Sequence, residues 1–349
     1  MIMKTKILHV YNNLDIVNGI TSQAIPFING INKTDQFEIL LLLGKMPETK
    51  LKDFKNIIID KTFNYSERSF FTFLKTFTRA YKLIKKENIK IIHTHHFYHS
   101  FIFYLLKIFF RIKVILSVHG LIPQKGILPH FLADKIILVS KGNYDRLIKL
   151  KPKLKNKITI IHHYYDIKSK TRNKNKIKFL IATRLVEDKG INILIEALKI
   201  IKNKKLDITI AGEGELSELV IQSSKELGFK FVGVIKNIES KIKEYDVLIN
   251  PIISKIEVEG FPTILVLAGL NNLAVVTSDF YGYNYYLNNE NSFIYKKDSA
   301  KELAQTLIKV SKNKKLLQNK SLKLNSDFKN IFNKNNLVEL INFYKSLSK

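Results

Sequence analysis

Arg184 and Lys189 share one polar turn, TRLVEDKG, and an apolar helical repeat follows at once, with Ile191, Leu194, Ile195 and Leu198 at helix spacing. Before the turn stands IKFLIA, an apolar run of strand type. A strand, a turn with two cations and a helix start make an anion site. The first N–H groups of the helix are unpaired, its positive dipole end points the same way, and two cations add to it. The plainer reading is an ordinary strand–helix unit with solvated charges, since charged turns before helices are common. A second group of chemistry-bearing residues is histidine: His93, His95, His96 and His99 in IHTHHFYHS, and His119 before Gly120 in SVHG. On a strand, His93 and His95 share a face. Imidazoles this close suit zinc, but no cysteine or carboxylate accompanies them, and polar residues gather at the ends of parallel strands without any metal. Near the start, NNLDIVNGI carries Gly19 in a turn between a strand and a helix, where backbone can approach a phosphate.

The elements that must hold these residues alternate. TKILHVY, QFEILLLL, NIIID, IKIIHTH, KVILSVHG, DKIILVS and KITIIHHYYD read as strands, with helical segments between most of them. IKSKTRNKNK (167–176) is basic, polar and without period, a linker. The alternation then restarts with IKFLIA, LDITIAG, KFVGVI, DVLINP, LAVVTSD and SFIYKK. This predicts an α/β protein of two tandem doubly wound, Rossmann-like domains. The N-terminal domain is expected over 1–166, the linker over 167–176, the C-terminal domain over 177–325, and a C-terminal helical segment, 326–349, returning towards the N-terminal domain. Ligands bind at the carboxyl edge of such sheets and in a cleft between two of them. In ERSFFTFLKTFTRAYKLIKKENIK, residues Phe70, Phe73, Leu74, Phe77, Tyr81 and Ile84 form a helical stripe flanked by lysines. Most of that stripe is expected to be core, and the lesser reading is an aromatic face on an anionic membrane.

Composition narrows the classes. With no cysteine there is no disulfide framework, thiolate chemistry or Cys-based zinc site. The formal charge is +28, from 58 Lys+Arg against 30 Asp+Glu, which favours polyanionic or phosphorylated partners. Part of this excess is the Lys, Asn and Ile richness of the whole chain. No RNA-binding signature, zinc finger or helix-turn-helix pattern is legible, so nucleic acid is not an expected partner. The start reads as no secretory leader, and no apolar run approaches a membrane span; the nearest, FIFYLLKIFF (101–110), is broken by Lys107.

The pieces ATRLVEDKGINILIEAL, ITIAGEGEL, FVGVI, YDVLINP, EGFPTILVLAG, LAVVTSD and SFIYKKDS, in this order and spacing, resemble the retaining glycosyltransferases of the GT-B fold, family 4 (the glycosyl transferases group 1 type). The resemblance implies that a nucleoside-diphosphate sugar lies in the cleft, mostly against the C-terminal domain. Arg184 and Lys189 match the pair that holds its diphosphate. Cations there stabilise a leaving group that gains charge in the transition state. Glu259 of EGFP matches a carboxylate beside the donor sugar. Gly260, Phe261, Pro262, Thr263 and Ile264 complete the donor-binding element and open a helix towards phosphate. Gly19 matches a glycine loop near the donor phosphates. His119 matches a histidine at the reaction centre, and His95 one on the acceptor side. The implied catalytic set is thus His119, Glu259, Arg184 and Lys189, with no metal and no other cofactor. The chain departs from the pattern at Leu267, where the family has a second Glu that holds the ribose hydroxyls; a leucine accepts no such bond, which costs on the order of 1–3 kcal/mol. Glu257 lies on the wrong side of Glu259 to replace it. The loop after LAVVTSD also lacks the usual glycine–glutamate run.

The resemblance therefore implies a retaining hexosyltransferase-type enzyme. It would move a sugar from a UDP- or GDP-sugar to a glycan or lipid-linked acceptor in bacterial surface polysaccharide or lipopolysaccharide synthesis. The expected location is cytoplasmic, peripheral on the inner membrane through an anionic surface. Two other readings share the fold: a non-catalytic GT-B partner protein, which Leu267 favours, and a sugar-nucleotide 2-epimerase.

Overall fold

The computed structural model describes residues 4–14, 19–47, 54, 56–64, 69–120, 122, 131–165, 167, 176–202, 206–253 and 260–348. The chain divides into two compact units, Met1–Tyr165 with Asn333–Lys349, and Asp166–Phe332.

The first unit is a parallel sheet in the order β3-β2-β1-β4-β5-β6-β7. Its strands are β1 (Thr5–Tyr11), β2 (Phe37–Leu43), β3 (Ile57–Ile59), β4 (Ile91–Thr94), β5 (Lys113–Val118), β6 (Lys135–Leu138) and β7 (Ile158–Ile160). Strand alternation splits the core into two layers. Leu8, Val10, Leu40, Leu42, Ile92, Val114 and Leu116 face one side, where α2 (Phe70–Glu87), α3 (Phe97–Leu105) and α4 (Lys141–Leu150) supply Ala80, Ile84, Ile102, Phe103 and Leu147. Ile7, Tyr11, Leu41, Leu43, Ile91 and Ile115 face the other. There α1 (Gly19–Lys33) packs with Ile28 and Ile31, beside Leu337, Leu340 and Tyr344 of the last helix, Lys334–Ser348. The two helices touch where Gly30 lets Leu337 approach: a β-carbon at 30 would stand 2.4 Å from its Cδ2.

The stripe on α2 is only partly core. Ser69 caps the helix by accepting a bond from the Thr72 N–H, and Thr76, Ala80 and Ile84 form its buried line. Phe73, Phe77 and Tyr81 lie half-buried at the edge of the core, while Phe70, Phe71 and Leu74 are exposed. The first turn therefore does not pack as the helical period suggests.

The second unit is a parallel sheet in the order β10-β9-β8-β11-β12-β13. It comprises β8 (Lys178–Ala182), α5 (Ile191–Ile200), β9 (Asp207–Ala211), α6 (Ser217–Leu227), β10 (Lys230–Phe231), β11 (Val247–Asn250), α8 (Thr263–Leu270), β12 (Ala274–Ser278), β13 (Phe293–Tyr295), α9 (Ala300–Lys312) and α10 (Lys314–Ile331), with the short α7 (Ile238–Lys241) before β11. Helix α10 runs unbroken past residue 326, so the chain returns to the first unit at Asn333, later than the boundary expected from the sequence. The returning helix, α11 (Lys334–Ser348), is pinned at its start by Asn336 Nδ2, which donates to the His163 carbonyl at 3.1 Å.

Both sheets reverse their winding beside their first strand, between β1 and β4 and between β8 and β11. Such a switch point leaves a crevice at the carboxyl ends of the strands, where open α/β sheets take their ligands.

Candidate functional site

At the switch point of the second unit the turn after β8 is held from both sides. Thr183 N–H donates to the Ala211 carbonyl at 3.1 Å and Leu185 N–H to the Glu213 carbonyl at 2.8 Å. Leu185 is fully buried. Arg184, between these two anchors, is thereby turned outward and is exposed. Among the described residues its guanidinium makes no ion pair. Lys189 ends a short 3-10 turn, Glu187–Lys189, and Gly190 connects it to α5 with φ +70°. A β-carbon at Gly190 would stand 1.7 Å from the Pro251 carbonyl oxygen, and one at Gly212 1.8 Å from the Thr183 oxygen. Glycine at these two places lets the β8, β9 and β11 turns stack on one edge.

Pro251 leads out of β11 towards the EGFP element. Glu259 lies outside the described residues, as does Glu257. Gly260 and Phe261 are buried. The Phe261 ring stacks on Phe332 at 5.9 Å and meets Tyr283, Tyr286 and Phe328, so it fastens the element to the core and presents no surface to a ligand. Pro262, Thr263 and Ile264 are half-buried at the start of α8. Leu267 is 1% exposed on a helix whose residues 265–270 are all buried. That position belongs to the core in this chain and offers nothing to a ribose.

At the switch point of the first unit a tier of polar rings stands on the face shared with α1 and α11. Register makes it: His9 pairs with His93 across β1 and β4, and Ser117 and His119 continue the same face of β5. His95 Nδ1 lies 2.8 Å from His119 Nε2, and His119 Nδ1 lies 2.8 Å from Gln23 Oε1. His9 Nδ1 is 3.3 Å from His95 Nε2. Tyr344 Oη of α11 stands 3.1 Å from His9 Nε2 and 2.6 Å from His93 Nδ1, and His93 Nε2 is 2.6 Å from Ser117 Oγ. Tyr11 stacks on His95, ring centres 3.9 Å apart. The cavity beside these rings measures about 30 Å³, room for a water molecule or an ion.

Burial keeps this tier neutral. It lowers the His9 ring to about 3 and His119 to about 4. Burial, and then the neighbouring rings, pushes His93 and His95 well below the usual histidine value. Of the residues singled out from the sequence, His95 and His119 are thus in direct contact, and Gly19 opens the helix that brings Gln23 to them. Histidines 96 and 99 separate from the tier: His96 caps α3 by accepting from the Tyr98 N–H, and His99, inside that helix, bonds the Phe63 carbonyl. His9, Gln23, Ser117 and Tyr344 carried no sequence signal of their own. His9, His93 and His95 bring ring nitrogens within 4.8 Å of one another, a grouping that could hold a metal ion. It is looser than the ~3.3 Å edges of a tetrahedral zinc site, and the ring nitrogens are engaged with one another and with Tyr344 and Ser117.

Two Rossmann-like units, each with its polar residues at a switch point, define a protein of GT-B architecture. The family model described as Glycosyl transferases group 1 matches residues 165–325, and the one described as Glycosyltransferase Family 4 matches residues 36–169. The chain belongs to this family of GT-B glycosyltransferases. No curated protein matches the sequence. Among solved structures it is similar to a glycosyltransferase from Rickettsia africae, at 19% identity and TM-score 0.80 over 99% of each chain. It is similar too to a sucrose-phosphate synthase from Thermosynechococcus elongatus, at 13% identity and TM-score 0.81 over 99% of each chain. A third is Anabaena HepE in complex with UDP, at 15% identity and TM-score 0.74, over 99% of this chain and 100% of that one. At these identities the likeness speaks for the fold.

Proposed function

We propose that this glycosyltransferase moves a hexosyl group, with retention, from a UDP- or GDP-sugar to a glycan or lipid-linked acceptor of a bacterial surface polysaccharide or lipopolysaccharide. The observation that carries this reading is Arg184, held outward by two backbone anchors at the switch point of the second unit. HepE, which shares the fold, is solved with UDP and with UDP-glucose, in keeping with a nucleoside-diphosphate donor.

In the proposed reaction the bond from the anomeric carbon to the leaving phosphate oxygen breaks. Arg184, Lys189 and the N–H groups at the starts of α5 and α8 meet the charge that develops on the diphosphate, so no metal is assigned that task. The acceptor oxygen bonds to the anomeric carbon from the same face, and its proton passes to the leaving phosphate oxygen. Glu259 orients the sugar, Gly19 lies beside the donor phosphates, and His119 and His95 line the acceptor side. Arg184→Ala and Lys189→Ala should each lower turnover tenfold or more. Near-normal rates in both would overturn the assignment. Leu267 favours a second reading, a non-catalytic partner that binds nucleotide sugars. Release of nucleoside diphosphate on adding donor and acceptor decides against it, and analysis of the released sugar separates transfer from epimerisation.

The proposal places the acceptor at an anionic membrane on the cytoplasmic side. No helix among the described residues is long and apolar enough to cross a bilayer. Phe70, Phe71, Ile108 and Phe109 are 71%, 75%, 80% and 58% exposed, and Phe109 packs edge-on to Tyr81 of α2 at 5.7 Å. Lys75, Arg79, Lys82, Lys85 and Lys86 are exposed along the same helix. Apolar rings beside a row of cations suit anionic headgroups. Co-sedimentation with phosphatidylglycerol vesicles should rise with anionic lipid and fall with salt; indifference to both would refute the docking.

A further inference from the structure

We infer that Gln23 is a positioning residue for His119 and that, through one unbroken run of hydrogen bonds, it sets the tautomer of four histidines, two buried and two half-buried, as a unit. Counting hydrogens along the run leads there. The Gln23 Oε1 atom can only accept, so the hydrogen between it and His119 sits on Nδ1. A neutral ring has one N–H, so His119 Nε2 must accept, and His95 Nδ1 carries the next hydrogen. His95 Nε2 then accepts from His9 Nδ1–H, and His9 Nε2 accepts from the Tyr344 hydroxyl. That hydroxyl has a single hydrogen, so its oxygen accepts from His93 Nδ1–H, and His93 Nε2 accepts from Ser117. Each link in the run favours the next, and Tyr11 Oη, 3.5 Å from His9 Nδ1, can accept the same hydrogen.

All four rings are therefore Nδ1–H when the Gln23 oxygen faces His119. With the amide reversed every link reverses, and all four become Nε2–H. A mixed state leaves two donors or two lone pairs facing each other, which is costly, most of all at the buried His9, His93 and Tyr344 links. The rings are neutral at pH 7 because burial disfavours their cations, so no ring has a second hydrogen to relax the rule. Tyr344 is the coupling atom of the run, and it comes from the last helix of the chain. The inference deepens the transfer reading, in which His119 lines the reacting groups: Gln23 decides whether its Nε2 is a donor or an acceptor.

The test is long-range proton–nitrogen NMR of the full chain labelled with ¹⁵N-histidine. The wild type should show His9, His93, His95 and His119 with protonated Nδ1 and bare Nε2. Gln23→Leu should bring a second tautomer into all four rings, including His93 at the far end. In a Tyr344→Phe background the same substitution should reach His119, His95 and His9 but no longer His93. Ser117→Ala removes a hydroxyl that can donate or accept, so with Gln23 intact it should leave His119, His95 and His9 as Nδ1–H. Opposite tautomers at His93 and His119 in the wild type, a switch at His119 in Ser117→Ala, or a His93 signal that ignores Gln23→Leu, would overturn the inference. Turnover keeps the two readings apart. Gln23→Leu should lower kcat about tenfold and leave donor KM near its wild-type value. If His119→Ala leaves kcat unchanged while the ring pattern is as expected, the site reading falls and the coupled run stands.

Discussion

The two units are built to one plan and spend their switch points differently. In the first, the carboxyl edge carries neutral, mutually bonded histidines; all nine histidines of the chain lie at or before residue 163. In the second, which has no histidine, the edge carries Arg184 and Lys189 on turns packed through glycine. The difference comes from what surrounds each edge. In the first unit α11 covers the polar tier with Tyr344, Leu337 and Leu340, so charge is expelled from it. In the second the turn after β8 is clamped at Thr183 and Leu185, and the cation between them stays in water. One fold thus presents an edge of neutral, mutually bonded rings and an edge with an exposed cation.

The largest effect expected from this contrast is at glycine. Gly190→Ala places a β-carbon on the Pro251 oxygen at positive φ and should cost about 3 kcal/mol or more in denaturant unfolding. Gly120→Ala, just after β5 of the first unit, meets nothing within 4 Å among the described residues and should stay within about 0.5 kcal/mol. Equal costs would break the comparison.

Acid should sharpen it. The folded tier keeps its rings neutral down to about 3 at His9 and about 4 at His119, whereas unfolded rings take a proton near 6.5. Below that value the unfolded chain binds more protons, so stability falls as pH falls from about 6.5 towards 4. Each ring that stays neutral contributes about 1.4 kcal/mol per pH unit to the slope. Hydrogen exchange should show protection lost first in β1, β4 and β5, with β8, β9 and β11 holding longer. The reverse order would contradict the account. The smallest effect is at the surface: Phe71→Ser should change stability by less than about 0.5 kcal/mol yet weaken binding to anionic vesicles.

The fold was legible because parallel strands buried on both faces read as apolar runs, and the helices between them carry a clear period. Arg184 and Lys189 were legible because strand, charged turn and helix are contiguous in the chain. The histidine tier was not. His9 in TKILHVY is one polar residue in an ordinary strand, and only the β1–β4 register sets it beside His93. Tyr344 reaches the tier from the far end of the chain, and Gln23 reaches it from a helix whose pattern shows only its apolar side. The α2 stripe was legible as a helix face, but period alone does not say which of its turns the core covers. Leu267 was recognisable as a departure; that it sits in an entirely buried stretch of α8 required the packing.

The central claim is that the second unit's switch point holds a nucleoside diphosphate through Arg184 and Lys189. Hydrogen exchange of the full chain with and without UDP, in parallel with GDP, tests it most directly. The account predicts that one of the two nucleotides protects residues 183–191 and the start of α8. That protection should weaken steeply with salt and be lost in Arg184→Ala, with β1, β4 and β5 unaffected. Protection unchanged in Arg184→Ala, or none from either nucleotide, would contradict it.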